Sequence, residues 1–119
     1  MRGYQKKVIF LKGCTEMIYI TGDIHGDRKR LSWLKLRNLK EGDTLIICGD
    51  FGFLWENTTA EQNYIMSLGK RKYNICFVDG THENFDLLNN YEISQWNGGK
   101  VHKIYGNLYH LMRGQVYEI

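Results

Sequence analysis

The chain has 119 residues, of which 43% are hydrophobic and 24% are charged, and its formal net charge at neutral pH is +3. This length suits one domain, and this balance of apolar and charged residues excludes a largely disordered chain. No apolar run approaches the roughly 20 residues that a membrane-spanning helix needs, and the three cysteines form no Cys-x-x-Cys pair, which favours a reducing compartment. We therefore expect a cytoplasmic protein with no membrane partner.

The N-terminal part of the chain divides into an extension and the start of a domain. Residues 1–16 have the weakest pattern and are predicted to be an N-terminal extension, with an added strand over residues 7–12. Residues 17–119 are predicted to form one domain. A helix is predicted over residues 27–38, with Asp27 as its N-cap.

Three glycine-containing motifs each follow directly after an apolar, strand-like run. The runs cover residues 17–21, 44–48 and 75–79. The motifs that follow them read Gly22-Asp23-Ile24-His25-Gly26, Gly49-Asp50-Phe51-Gly52 and Gly80-Thr81-His82-Glu83-Asn84. Side chains at the C-terminal ends of neighbouring parallel strands meet at one edge of a sheet, where open α/β folds place ligands. Carboxylates and imidazoles grouped there predict a site for a divalent metal ion.

The spacing of the motifs supports this prediction. Asp23 and Asp50 are 27 residues apart, and Asp50 and His82 are 32 residues apart. One strand, a crossover helix and a return strand take roughly 30 residues, and right-handed crossovers bring all three motifs to the same end of the sheet. The alternative is ordinary turn chemistry, because glycine tolerates a positive φ and aspartate caps a following helix. Three motifs in register, two of them with histidine, favour the metal site.

Two further helices are predicted around the third apolar run. The first extends from about residue 58 to residue 72, with Thr58 or Asn57 as its cap and Glu61 in its first turn. The second is short and extends from residue 84 or 85 to residue 90.

The C-terminal part of the chain alternates polar and apolar residues, as antiparallel strands do. After a turn at residues 97–99, strands are predicted over residues 100–105, 108–112 and 115–119. His102 and His110 lie in these segments, and we interpret them as strand-surface or core-edge residues rather than metal ligands. The predicted fold class is α/β, with a parallel βαβαβ core followed by an antiparallel β-meander.

The motif series Gly-Asp-x-His-Gly, Gly-Asp and Gly-x-His-Glu resembles that of the calcineurin-like metallophosphoesterase superfamily, which comprises dinuclear-metal phosphatases and phosphodiesterases. The resemblance covers residues 17–119. It implies that Asp23 and His25 bind one metal ion and that Asp50 bridges two. It also implies a ligand role for Thr81, which stands where the family has asparagine, and a role for His82 in assisting the leaving group.

The same resemblance implies a hydrolase, a metal-dependent phosphoesterase that cleaves a phosphoester with a metal-activated water. Its cofactors would be two divalent ions of manganese, iron, zinc or magnesium, the second of which depends on Thr81. The family pattern continues with further histidine motifs, which the four histidines of this chain do not supply. The chain therefore resembles the N-terminal half of such an enzyme, a truncated αββα sandwich. The alternative is a catalytically impaired domain that acts as a binding or regulatory module.

Basic residues cluster near residues 28–37 and 70–72. They form either a solvated helix face or a rim that attracts phosphate or nucleic acid. Arg28 lies just after the first motif and is a candidate contact for a substrate phosphate. Glu83 is predicted to orient His82, and Asp79 is interpreted as a strand-end turn residue. An exposed sheet edge would favour a homo-oligomer.

Overall fold

The structure is a computed structural model that describes residues 7–10, 16–32, 36–81 and 83–119, and it describes only the backbone of residues 7–10. Seven strands, one 3₁₀ turn and two α-helices are seen in these ranges. The strands are β1 (Lys7–Phe10), β2 (Met17–Thr21), β3 (Thr44–Cys48), β4 (Asn74–Val78), β5 (Glu92–Trp96), β6 (Gly99–Tyr105) and β7 (Leu108–Leu111). The 3₁₀ turn covers Arg28–Leu31, and the helices are α1 (Thr59–Gly69) and α2 (Phe85–Leu88).

All seven strands belong to one mixed sheet with the order β1-β2-β3-β4-β7-β6-β5. Strands β2, β3 and β4 run parallel, with Ile20 opposite Ile46 and Ile46 opposite Cys76. Strand β7 continues the parallel part of the sheet next to β4. The predicted parallel core and the α/β class are therefore confirmed, and the three apolar runs are its central strands.

The antiparallel meander is also present, and two of the three strands predicted for it, over residues 100–105 and 108–112, correspond to β6 and β7. It consists of β5, β6 and β7, whereas the strand predicted over residues 115–119 is wrong. That segment instead contacts β6 and the turn before it: the Tyr117 hydroxyl donates to the carbonyl of Lys100, and the Glu118 N–H donates to the carbonyl of Asn97. Within the described residues every strand lies in this one sheet, so the second layer of the sandwich is not seen there.

The N-terminal predictions have a mixed outcome. The strand predicted over residues 7–12 is present as β1, Lys7–Phe10, and it pairs antiparallel with β2, a pairing that was not predicted. The predicted helix over residues 27–38 is wrong as a continuous element, because its described first half is only a 3₁₀ turn. Ser32 ends that turn in an extended conformation, with a ψ of 151°. The Asp27 side chain caps the turn by accepting a hydrogen bond from the N–H of Lys29, at 3.0 Å.

The helices cover one face of the sheet and enclose the main core there. Helix α1 begins at the predicted cap, because the Thr58 side chain accepts a hydrogen bond from the N–H of Glu61. Leu68 from α1 and Leu88 from α2 are buried with Leu45 and Phe77 of the sheet. The opposite face holds a much smaller buried cluster of Cys76, Val101 and Leu111. The carboxyl ends of β2, β3, β4 and β7 therefore form one edge, on which the candidate site lies.

Candidate metal centre

Three of the predicted ligands lie together at the carboxyl edge of the parallel strands. Asp23 and His25 follow β2, and Asp50 follows its parallel neighbour β3. One ligand atom from each residue lies within 4.8 Å of the other two. His25 Nε2 is 3.4 Å from Asp23 Oδ2 and 3.8 Å from Asp50 Oδ2. Two carboxylates and an imidazole at this separation are a suitable donor set for a hard or borderline divalent ion.

Backbone hydrogen bonds join the two ligand-bearing loops directly. The carbonyl oxygen of Asp50 accepts the N–H groups of Ile24 at 3.2 Å and His25 at 2.8 Å, and the carbonyl of Phe51 accepts the N–H of Gly26 at 2.9 Å. The relative position of the two loops therefore does not depend on their side chains alone.

Two of the three candidate ligands have a left-handed backbone. The φ angle is 53° at His25 and 46° at Asp50. Such a conformation is uncommon for a non-glycine residue, although aspartate and histidine adopt it more readily than most, and it clusters at functional sites. Here the inter-loop hydrogen bonds impose it, so the strain falls on the residues that would bind the metal.

A glycine from the third motif makes room for Asp50. A Cβ atom on Gly80 would lie 2.2 Å from Asp50 Oδ1 and 2.6 Å from the Asp50 nitrogen. The loop after β4 therefore contacts the side chain of Asp50 as closely as a backbone without Cβ allows. The third motif thus contributes to the site even apart from its candidate ligands.

Glu83 makes contacts that were not predicted. Its carboxylate is buried and accepts the N–H groups of Phe51 at 2.8 Å and Gly52 at 3.2 Å, directly after Asp50. Burial raises the pKa of Glu83, and its backbone donors only partly offset this effect. Glu83 therefore braces the loop that carries Asp50. His82, which Glu83 was predicted to orient and which was predicted to assist the leaving group, lies outside the described residues.

The site is open on one side. About half of each of the Asp23 and His25 side chains is exposed, whereas the Asp50 side chain is only 13% exposed. Thr81 is also exposed and follows the glycine that contacts Asp50. A ligand could therefore approach from solvent and reach a more buried carboxylate.

Arg28 lies close to these loops. Its guanidinium carbon is 4.3 Å from the centre of the Tyr64 ring on α1. Both side chains line a cavity of about 220 Å³ that also reaches Gly26 and Gly52 of the two ligand loops. A cation–π interaction thus holds the Arg28 side chain beside the two candidate ligand loops.

A second polar cluster was not predicted. Asp79, interpreted as a turn residue, is buried at the end of β4, and its Oδ1 lies 2.8 Å from His110 Nε2. His110 Nδ1 in turn lies 3.0 Å from His102 Nδ1. Both histidines are buried, 5% and 4% exposed, so of the two predicted locations, strand surface and core edge, the first is wrong and the second fits. Arg113 binds the other oxygen of Asp79 from the surface. Only the ladder register, which sequence reasoning did not resolve, could have indicated this pairing.

The pKa values in this cluster follow from burial and pairing. Burial would raise the pKa of Asp79, but hydrogen bonds from His110 and Arg113 outweigh it and hold that pKa below its usual value. Burial lowers the pKa of His102, and it also lowers the pKa of His110 despite the neighbouring Asp79. Two neutral rings and one carboxylate are consistent with the single proton that fits between the two Nδ1 atoms.

Comparisons with known proteins add no relative to these observations. No protein-family model, no curated protein and no solved structure matches the chain. Among the described residues, no helix combines the length and the apolar character required to cross a lipid bilayer.

Proposed function

We propose that this chain is a metal-dependent phosphoesterase that hydrolyses a phosphoester. The observation that carries the proposal is the convergence of Asp23, His25 and Asp50 on one point at the carboxyl edge of two parallel strands. The strained backbone of His25 and Asp50 supports it, because strain held in place by hydrogen bonds is typical of functional sites.

In this proposal Asp23 and His25 would hold one divalent ion, and Asp50 would contribute an oxygen ligand to that ion and to a second. A divalent ion in such a site lowers the pKa of a bound water and stabilises charge on phosphoryl oxygens. The donor set fits, because all three side chains present oxygen or imidazole nitrogen ligands within reach of one another. Manganese, iron, zinc and magnesium are all suited to such ligands.

The remaining roles belong to residues around the triad. Arg28 binds a phosphate oxygen of the substrate from the cavity shared with Tyr64. Glu83 keeps the loop of Asp50 in place. His82 and Thr81 keep their predicted roles, in protonating the leaving oxygen and in binding the second ion respectively.

The test is hydrolysis of bis(p-nitrophenyl) phosphate with added Mn²⁺. Asp50→Asn is the preferred variant, because asparagine tolerates the left-handed backbone at this position and alanine does not. We expect its rate of hydrolysis to fall by roughly 100-fold or more, because even mutating a residue that only hydrogen-bonds to a metal ligand lowers metal affinity or activity about 10–100-fold. Glu92→Gln removes an exposed carboxylate from the edge strand β5 and serves as the matched control. No hydrolysis by the parent chain, or equal rates in both variants, would contradict the proposal.

One observation favours a second candidate, a binding module that holds a single ion. Among the described residues, Asp23, His25 and Asp50 are the only group of three or more His, Cys, Asp or Glu side chains with ligand atoms that all lie within 4.8 Å of one another. Such a module would bind one Mn²⁺ per chain and would not turn over phosphoesters. Metal stoichiometry measured together with hydrolysis separates the two functions.

A further inference from the structure

We propose that Arg113 and the cavity beside it form a binding site for a phosphate group that carries a planar aromatic ring. The site lies at the same sheet edge as the metal centre. The part of the inference that makes this ligand the substrate rests on the proposed function, because it names the class of phosphoester that the metal centre would act on. As a binding site it stands on contacts of its own.

The fold brings Arg113 to this edge. Strand β7 runs parallel to β4, with Leu111 opposite Val78, so the residues after both strands leave the sheet on the same side. Strands β3 and β7 are two positions apart in the sheet, a separation of roughly 10 Å. Two adjacent residues link the sites. Asp79 accepts a hydrogen bond from Arg113, and Gly80, which follows Asp79 in the chain, lies against Asp50.

Arg113 is held in place but remains open to solvent. Asp79 Oδ2 accepts hydrogen bonds from Arg113 Nε at 2.9 Å and from Nη2 at 2.6 Å. The Asp79 side chain is 3% exposed, whereas that of Arg113 is 76% exposed. A guanidinium has five N–H donors, and Asp79 uses two of them, so three remain for a ligand. An arginine side chain normally loses conformational entropy when it binds a ligand, which opposes binding. Here the hydrogen bonds to Asp79 already order the Arg113 side chain.

The buried histidines explain why Asp79 keeps this position. His110 binds the second oxygen of Asp79, and His102 binds His110 from the neighbouring strand. Burial lowers the pKa of each ring, which favours its neutral form. The network therefore fixes the carboxylate without adding charge. Because Asp79 neutralises much of the Arg113 charge, we expect directed hydrogen bonds to dominate anion binding, with dissociation constants in the millimolar range.

The cavity next to Arg113 indicates the rest of the ligand. It measures about 310 Å³, and Phe85, Leu88 and Met112 supply its apolar lining. The Phe85 ring is 40% exposed, and its centre lies 6.0 Å from the guanidinium carbon of Arg113. An exposed aromatic ring beside an ordered arginine suits a ligand with a phosphate next to a ring, because the ring can stack while the guanidinium binds the phosphate. Aryl phosphates and nucleotides have this chemistry.

The test is an NMR titration of the full chain, without metal and with EDTA, using inorganic phosphate and phenyl phosphate as probes. The amide resonances of Met112 and Gly114 report binding beside Arg113. We expect phenyl phosphate to bind at least three-fold more tightly than inorganic phosphate. Phe85→Leu should remove this preference without weakening inorganic phosphate. Equal affinities of the parent chain for the two probes would overturn the aromatic part of the inference.

Variants at Arg113 test the phosphate contact. Arg113→Gln should weaken both probes at least ten-fold, whereas Lys103→Gln, a matched loss of charge on β6, should change neither by more than two-fold. Arg113→Lys keeps a cation for the buried Asp79, so it guards against a loss of fold, and it should still weaken both probes at least three-fold. Unchanged binding in Arg113→Gln and Arg113→Lys, or loss of binding only in Arg28→Gln, would overturn the inference.

This experiment separates the site from the proposed function. Because no metal is present, binding at Arg113 does not require Asp50, and Asp50→Asn should leave both probes unaffected. If the chain binds phosphate but no Mn²⁺, the proposed anion site is supported and the proposed metal centre is contradicted. If the chain binds Mn²⁺ but the Arg113 variants do not change phosphate binding, the metal centre is supported and the anion site is contradicted.

Discussion

Replacing Gly80 by alanine should abolish tight metal binding without altering any candidate ligand. The new Cβ would lie 2.2 Å from Asp50 Oδ1, 2.6 Å from the Asp50 nitrogen and 2.8 Å from Asp50 Cγ. At ordinary van der Waals separations of about 3.5 Å, the carboxylate would have to move by roughly 1 Å. The side chain cannot simply rotate away, because the backbone nitrogen of Asp50 is in contact as well.

The size of the effect follows from what moves. The carbonyl of Asp50 accepts the N–H groups of Ile24 and His25, so a shift of the loop also disturbs the backbone that carries His25. Loss of a residue that hydrogen-bonds to a metal ligand lowers metal affinity about 10–100-fold, or roughly 1.4–2.8 kcal/mol. Displacement of a ligand itself should weaken metal binding by at least this much. Calorimetric titration with Mn²⁺ measures this change, and thermal unfolding without metal checks that the fold remains.

Gly22→Ala is the matched control for this prediction. Gly22 lies in the first motif, next to the candidate ligand Asp23, but a Cβ there would meet nothing within 4 Å. It should bind Mn²⁺ as the parent chain does. The reasoning is refuted if Gly80→Ala binds Mn²⁺ within three-fold of the parent chain, or if Gly22→Ala loses as much affinity.

Three further predictions follow from other contacts. Glu83→Gln should lower the free energy of unfolding by about 1–3 kcal/mol, measured by urea denaturation, because a buried N–H loses its charged acceptor; an unchanged midpoint would contradict this. Stability should fall as the pH is lowered from 7.5 to 6, because the folded pKa values of His102 and His110 lie below the unfolded value of about 6.5, so the unfolded chain takes up more protons; a melting temperature that rises on acidification would exclude buried neutral histidines. Arg28→Gln, which removes the cation above Tyr64, should raise KM for the phosphodiester about five-fold or more with little change in kcat, and steady-state kinetics with an unaltered KM would remove Arg28 from the substrate site.

The local part of the fold could be predicted from the sequence. The runs that became β2 and β3 were predicted with their observed bounds, and β4 was predicted one residue late. Continuous apolar runs followed by glycine motifs are a strong signal for buried parallel strands. The grouping of Asp23, His25 and Asp50 follows from that topology, and the structure brings these three residues together.

The rest depended on contacts between distant segments. Strand β5 was missed because Glu92–Trp96 shows little alternation and is stabilised by pairing with β6. The His102 and His110 side chains belong to one face of two paired strands, and Asp79, the partner of His110, lies 31 residues before it. Glu83 was predicted to orient its sequence neighbour His82, and its hydrogen bonds to a loop 31 and 32 residues earlier were not foreseen. Such pairings are determined by register, which composition and motif spacing do not encode.

The most direct test of the metal centre is a calorimetric Mn²⁺ titration of the parent chain beside Asp50→Asn, His25→Gln and Glu92→Gln. We predict saturable binding of at least one ion per chain that both ligand variants lose and Glu92→Gln retains. Two ions per chain would support the phosphoesterase, and one would favour the binding module. No binding by the parent chain, or the same binding in all four proteins, would contradict a metal centre built from Asp23, His25 and Asp50.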